Sequence, residues 1–390
     1  MTPPAPDGPR DLNNQMVDRL VEQGVVHDAG LQFAFRSVLR HWFLPSTPLD
    51  EVYGGRAIVT HRAANGVPIS SSSEPAIMAR MLEQLHVRPG QQVLEVGAGT
   101  GYNAALLEHL VAPTGSVTTI DLDPEIASAA QRHLRSAGTH GVTVIVGDGW
   151  VGSPHHAPYH RIEVTVGTSD LSPAWFEQLA PGGVLVVPLC LRAGVQASLA
   201  FTKRPDRLKS LSVEPCGFML LRGPAAGPES YVSIGTWSAS LDGPDPDTVA
   251  LLGDLLQQEP ISEPAPDLDS GWFTPIALIH DGAVSLVRFQ EGRSRICQGI
   301  LDRATGTLAV VESSVADGCA TPTTVHAFGG DEAHSRLRDL LGRRPPWKLS
   351  DLTIEAVPAG SAAPDPDACT VLERPNFTFL IRPVSGTDRR

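Results

Sequence analysis

The first 222 residues predict an α/β fold: a mostly parallel sheet with helices on both faces. Three observations lead there. Between residues 93 and 188, short apolar runs alternate with amphipathic helical runs. One of those runs, Val93–Val96, passes directly into a glycine-rich turn and a helix. Acidic residues then recur at the ends of the next two strand-like runs.

Taken in order, the chain reads as helical from Asn14 to Leu44. Met16, Val17, Leu20 and Val21 share a face there, and Leu31, Phe33, Ala34, Val38 and Leu39 continue the pattern. Glu51–Ser73 reads as irregular, broken by Gly54, Gly55, Gly66 and Pro68. Glu74–Leu85 is a helix, with Ser73 at its start, Pro75 in its first turn and one apolar stripe through Met78, Met81 and Leu85. Strands at Val93–Val96, Ser116–Ile120, Val142–Val146, Arg161–Val166 and Val184–Pro188 follow. They interleave with helices at Tyr102–Val111, Pro124–Ser136 and Pro173–Leu179. Ala197–Thr202 and Leu208–Val213 read as an antiparallel hairpin closing the sheet.

Beyond Arg222 the pattern changes. Gly223–Pro228 (GPAAGP) reads as a hinge. It divides the chain into a domain over residues 1–223 and an accessory α+β domain over residues 224–390. Strand-like runs there are Tyr231–Trp237, Ala283–Phe289, Leu308–Glu312, Ser350–Ala356 and Asn376–Ile381, with a helix at Glu332–Leu341. Breaks fall at Glu259–Pro266 and Pro358–Asp367. No repeat and no chemical motif appears, so substrate recognition is the role expected of this domain.

Composition excludes some functions. Hydrophobic residues make up 42% of the chain, enough for a sizeable core. The abundance of Gly (37) and Pro (34) therefore points to loops rather than disorder. A net charge of -13 argues against nucleic acid as a partner. The opening MTPPAPDGPRDLNN lacks the layout of a signal peptide, and no apolar run approaches the roughly 20 residues that span a bilayer. A cytoplasmic protein without a membrane partner is expected. Cys190, Cys216, Cys297, Cys319 and Cys369 are scattered without a CxxC pair, which gives neither a zinc site nor a disulfide framework.

The sharpest motif is Leu94-Glu95-Val96-Gly97-Ala98-Gly99-Thr100-Gly101-Tyr102. Glycines at alternate positions let a backbone turn tightly and approach a ligand, and the helix beyond presents unpaired N–H groups. Such a turn serves a dinucleotide or the carboxylate end of S-adenosylmethionine. The GxGxG spacing, and Glu95 two residues ahead of it, favour the second: an acid there reaches the ligand's amino group. Asp121-Leu122, after the next strand, sits where a carboxylate accepts from ribose hydroxyls. Asp148-Gly149, after the third, suits an adenine amino group and the ring beside it. Tyr102 is expected beside the methionine moiety or as a helix cap. His155, His156 and His160 lie in a loop without the acid or cysteine partners of a metal site, and methyl transfer needs no metal. His61 and Arg62 are weaker candidates for neutralising a substrate carboxylate.

Together the run SEPAIMARM from Ser73, LEVGAGTGYNAALL, VGDGWVG, APYH and QLAPGGVLVVP resemble the protein L-isoaspartate O-methyltransferase family over residues 14–222. The resemblance implies a Rossmann-like, S-adenosylmethionine-dependent methyltransferase sheet that esterifies an aspartyl-type carboxylate on a peptide or protein. It also implies Thr165 in the cofactor site and an active-site loop at Ser73 or its neighbours Ser70, Ser71 and Ser72. His160 and the run Val166-Gly167-Thr168 depart from the family pattern. The ISSSSEPAIMARMLEQL and Pro215–Met219 stretches, with the extra domain, resemble the longer FxLD methyltransferases associated with ribosomally made, modified peptides. That likeness implies methylation of an aspartate whose ester closes to an aspartimide. Repair of isoaspartyl proteins is the alternative enzyme reading, and a non-catalytic cofactor-binding scaffold the alternative of another class.

Overall fold

The structure, a computed structural model, describes residues 8–384 except 65, 225, 227–230, 242–244, 270, 291–292, 317–318 and 362–368. Helix α1 (Pro9–Glu22) buries Met16, Val17 and Leu20, and α2 (Ala29–Ser37) buries Leu31, Ala34 and Phe35. The single helical stretch expected here is divided. Gly24 turns the chain at φ +63°, and Asp28 caps α2 by accepting from Leu31 N. After the one-turn α3 (Leu49–Val52), the segment expected to be irregular holds an antiparallel hairpin of β1 (Ile58–Arg62) and β2 (Pro68–Ser72). The serine run supplies its second strand. With few apolar positions to alternate, such a strand leaves no periodic signal.

Helix α4 (Pro75–Leu85) starts on its proline and buries Met78, Met81, Leu82 and Leu85. The alternating series follows: β3 (Gln92–Val96), α5 (Tyr102–Val111), β4 (Ser116–Asp121), α6 (Pro124–Ser136), β5 (Val142–Val146), β6 (Tyr159–Val164), α7 (Pro173–Gln178) and β7 (Leu179–Cys190). Strands β5, β4, β3, β6 and β7 lie side by side and parallel, as the alternation predicts. The expected hairpin, β8 (Gln196–Lys203) and β9 (Leu208–Pro215), continues the sheet antiparallel. The chain winds outward from β3 to β5 and then returns to the far side of β3 as β6. That reversal is a topological switch point, where open α/β sheets bind ligands.

A second sheet follows: β10 (Val232–Ile234), β11 (Trp237–Leu241), α8 (Pro246–Leu255), β12 (Ile261–Pro264), α9 (Phe273–Ile279), β13 (Ala283–Gln290), β14 (Arg293–Asp302), β15 (Thr307–Ala316), β16 (Cys319–Phe328) and α10 (Glu332–Arg343). Its order is β10-β11-β13-β14-β15-β16-β12. The expected break near Glu259–Pro266 is edge strand β12, where Pro264 is tolerated because one side of the strand is unpaired.

The last strands do not stay with that sheet. β17 (Leu352–Pro358), β18 (Thr370–Glu373) and β19 (Phe377–Pro383) return to the first sheet and extend it to ten strands, with β17 against β9 at Glu355↔Lys209 and Ala356↔Leu208. A clean split of the chain at 223/224 therefore does not describe the topology: Val232–Arg343 is an insertion between β9 and β17. Apolar alternation in Ile354/Ala356 and Phe377/Phe379/Ile381 announces half-buried strands but not which sheet takes them. One core joins the two parts, since Val187, Leu189, Ile354 and Phe379 pack in the same cluster as Trp272, Ile276 and Val311. Of the expected hinge, residues 225, 227 and 228 lie outside the described ones. No helix among the described residues is long and apolar enough to cross a membrane.

Candidate active site

At the end of β3 the chain turns through Gly97, Gly99 and Gly101 into α5. Gly97 and Gly101 sit at φ +102° and +86°, a region side chains rarely adopt. A Cβ on Gly97 would also strike Thr165 Oγ1. Thr165, just past β6, holds the turn from the neighbouring strand: its hydroxyl reaches the carbonyls of Val96 and Gly97 at 3.0 Å each. Asp121 closes β4 beside it, and its carboxylate accepts from Gly99 N and Asp123 N, both at 3.1 Å. Burial raises its pKa, and those two amides oppose the rise.

A cleft of about 1240 Å³ opens over these strand tips. Gly97, Gly99, Asp121, Leu122, Asp148, Gly149 and Thr165 line it, so the predicted acids and turn residues are brought together. Ser70, Ser71 and Ser73 form a facing wall. Ser72 does not: its buried hydroxyl accepts from Arg40 Nη2 at 3.2 Å. Arg40, fully buried, also donates to the carbonyls of Val52 (2.8 Å) and Ser73 (3.0 Å), and burial pushes its pKa down. It thus fixes the serine strand from behind. The sequence reading missed it, although an arginine inside the apolar run VLRHWFLP was a visible signal.

A further wall is Pro215–Arg222, of which only Pro215–Met219 was singled out in the sequence, for its likeness. It is tied down by Gly167 N donating to Met219 O and Leu221 N donating to Gly167 O, each at 2.8 Å. Phe218 N donates to Gln196 Oε1. Tyr231, from beyond the expected hinge, also lines the cleft.

Other predicted residues line an adjoining space or are tied to their neighbours. Glu95, Ala98, Thr100 and Tyr102 line a smaller cavity adjoining the glycine turn rather than the cleft. Tyr102 is buried, its ring 5.4 Å from Phe43 and 6.3 Å from Phe35. Glu95 is fully buried and accepts from Asn103 Nδ2 at 2.8 Å and Thr119 Oγ1 at 2.5 Å. Burial pushes its pKa up to about 8 against those hydrogen bonds. Asp148 does line the cleft, but one carboxylate oxygen caps the following turn by accepting from Trp150 N at 2.9 Å. Gly149 is needed for packing, because a Cβ there would strike Val96 Cγ1. Arg62 donates to Gly66 O within its own hairpin, and neither it nor His61 lines the cleft. His160 accepts from Gln92 N, and His156 bonds Ser153. Among the described residues no group of His, Cys, Asp or Glu is placed to hold a metal.

The sequence profile described as protein-L-isoaspartate(D-aspartate) O-methyltransferase matches residues 11–223. The chain belongs to that family. A protein-L-isoaspartate O-methyltransferase of Hyperthermus butylicus is 37% identical over 227 residues, covering 55% of this chain and 90% of its own. One of Aeropyrum pernix is 40% identical over 181 residues, 46% of this chain and 67% of its own. A solved protein-L-isoaspartate O-methyltransferase superposes over 95% of this chain and 99% of its own, with a TM-score of 0.54 at 23% identity. The fold is thus shared beyond the matched family region. The chain is an S-adenosylmethionine-dependent O-methyltransferase. The residues present fit that cofactor. The turn has no side chain at Gly97 or Gly99, Asp121 stands at the strand tip, and the buried Tyr102 hydroxyl and Asn103 Oδ1 have no partner in the adjoining cavity.

Proposed function

We propose that this isoaspartyl-methyltransferase relative methylates the side-chain carboxylate of an aspartate in a ribosomally made, modified peptide. One observation carries the reading. The two stretches that resemble the FxLD enzymes, the serine run and Pro215–Met219, are walls of one cleft. Length alone would not carry it, since the insertion has a counterpart in the fold of a solved isoaspartate methyltransferase.

Bound S-adenosylmethionine supplies an electrophilic methyl group on a sulfonium. Asp121 and the glycine turn would hold its ribose and amino-acid ends, with Leu122, Asp148 and Gly149 lining the adenine side. A substrate carboxylate is ionised at neutral pH, so no general base is required. The work left to Ser71 and Ser73 is to hold one carboxylate oxygen while the other stays in line for the methyl group. Arg40, by fixing the serine strand through Ser72 and Ser73, is a positioning residue. Val59, Val67, Met219 and Tyr231 are largely apolar yet exposed around this cleft, which suits the flanking side chains of a peptide. In the resulting ester the following backbone nitrogen attacks the carbonyl and methanol leaves, which gives the aspartimide.

The test is mass spectrometry of candidate precursor peptides, such as one encoded beside this gene, and of a linear isoaspartyl peptide, each incubated with enzyme and cofactor. The expected result is a gain of one methyl on the modified peptide, followed by net loss of water relative to the starting material. Methylation of the isoaspartyl peptide alone would replace this reading with repair. Ser71→Ala/Ser73→Ala together should lower turnover by about tenfold or more while leaving calorimetric cofactor affinity unchanged.

A further inference from the structure

Strands β3 and β6 flank the switch point, and their register sets Glu95 directly opposite Glu163. Both carboxylates are buried, at 0% and 1% exposure. The sequence reading named the first and missed the second. Asn103, in the first turn of α5, bridges them: its Nδ2 donates to Glu95 Oε1 and to Glu163 Oε2, each at 2.8 Å. Thr119 on β4 donates to the other oxygen of Glu95. Among the described residues neither acid forms a hydrogen bond or ion pair with a Lys or Arg, and Asp121, at the tip of β4, adds a third negative group near Glu95. Around them lies a cavity of about 50 Å³, room for a water-sized or ammonium-sized group. It shares Gly97, Gly99, Ser71, Ser73, Thr165 and Phe218 with the large cleft, so it opens beside the glycine turn.

Two independent observations say that this cavity awaits a ligand. The hydroxyl of Tyr102, a lining residue 1% exposed, has no partner, and neither has Asn103 Oδ1. Two buried carboxylates sharing one amide also lack a counter-charge. A pair of that kind does not ionise fully in a low-dielectric interior, so it retains a proton. Burial lifts Glu95 to about 8 and Glu163 to about 7. The other groups facing the pair are Thr119 from β4, the Met78 and Met81 thioethers from α4, the serines ending β2, and Arg40, which acts on Tyr102. None of these supplies a cation to the carboxylates.

We propose that Glu163 joins Glu95 in a two-carboxylate receptor for the cofactor's ammonium group, and that the pair gives up its protons as that group enters. The inference rests on the cofactor alone and not on the substrate proposed above. The ammonium brings the missing positive charge, both acids ionise around it, and every proton the pair held goes to solvent.

The measurement is calorimetric titration of the full chain with S-adenosylhomocysteine, which keeps the ammonium, in buffers of different ionisation enthalpy. A range of about pH 6 to 7 keeps the ligand's own amine protonated. The expected result is buffer-dependent heat corresponding to release of about one proton or more per ligand bound, with affinity rising by about tenfold or more per pH unit. Methylthioadenosine, which lacks the ammonium, should release none. In Glu163→Gln the proton release should fall and S-adenosylhomocysteine affinity should drop about tenfold, while methylthioadenosine affinity holds within about twofold. Equal heats across buffers for the unmodified protein would overturn the proposal, whatever the variant does. So would the same proton release with methylthioadenosine.

Discussion

Arg40, Glu95, Glu163 and Asp170 lie buried in and around the ten-stranded sheet, whereas the polar side chains buried among the described residues of the insertion from Val232 to Arg343 are all hydroxyls. Among its described residues the buried polar groups are Ser240, Thr248, Thr274, Ser285, Thr307 and Ser313. Its acids and bases pair at the surface, as Glu263 does with His334 and Arg338. An interior charge costs several kcal/mol unless partnered, while a hydroxyl finds a backbone partner easily. Exposed ion pairs contribute little. Buried ionisable groups therefore gather where this molecule has a task beyond folding: three of the four line or support the cleft and its side cavity. The fourth, Asp170, accepts from Asn376 N and Nδ2 at 2.7 and 2.8 Å and pins the returning C-terminal strands.

The contrast can be broken by mutation, and the largest effect is expected at Arg40. Arg40→Met should leave the carbonyls of Val52 and Ser73 and the Ser72 hydroxyl unsatisfied, at a cost of about 3 kcal/mol or more. Urea unfolding within 1 kcal/mol of the parent would show that the buried cation is not what holds the serine strand. Next comes Asp121→Ala, with cofactor affinity down about tenfold or more by calorimetry, since hydrogen bonds to a charged group contribute about 1.5–3 kcal/mol. An unchanged dissociation constant would remove Asp121 from the cofactor's contacts.

A third effect is a pH dependence. Glu95 and Glu163 have folded pKa values raised to about 8 and 7, above their unfolded values. Their contribution to stability is fully present below the unfolded carboxylate range and is lost as pH rises through the folded values. The cofactor-free protein should therefore melt at progressively lower temperature between about pH 5 and 8, and Glu163→Gln should flatten that decline. A melting temperature independent of pH over this window would contradict the buried pair. The smallest effect belongs to the insertion. Asp245 caps α8 by accepting from Thr248 N at 2.9 Å, and Asp245→Ala should cost about 1 kcal/mol in denaturant while cofactor affinity stays unchanged.

What the sequence conveyed and what it withheld follow the same division. The parallel strands β3 to β7 were legible because apolar runs alternate there with helices that have recognisable starts; Pro124 after Asp123 is one such start. The acids at the strand tips were legible because glycine spacing and strand ends fix their place. Arg40, Asn103 and Glu163 were not, because their meaning lies in contacts across the fold: Asn103 bridges residues 8 and 60 positions away. The serine run was legible as a site but not as a strand, so nothing in the text separated the inward Ser72 from Ser71 and Ser73. The short edge strands and the destination of β17–β19 depend on tertiary pairing, which local pattern does not encode.

The return of β17–β19 has a consequence for how the polypeptide is made. A nascent chain that has emerged only as far as β16 has its glycine turn and both walls of its cleft but not the strands that seal β9. Synthesis must pass Pro383 before the catalytic half can close its own edge. A truncation after Pro224 thus strips three strands from the enzyme rather than an appendage. The informative cut is an internal one that joins the end of β9 to the start of β17 and lets the two halves of one sheet meet without their guest.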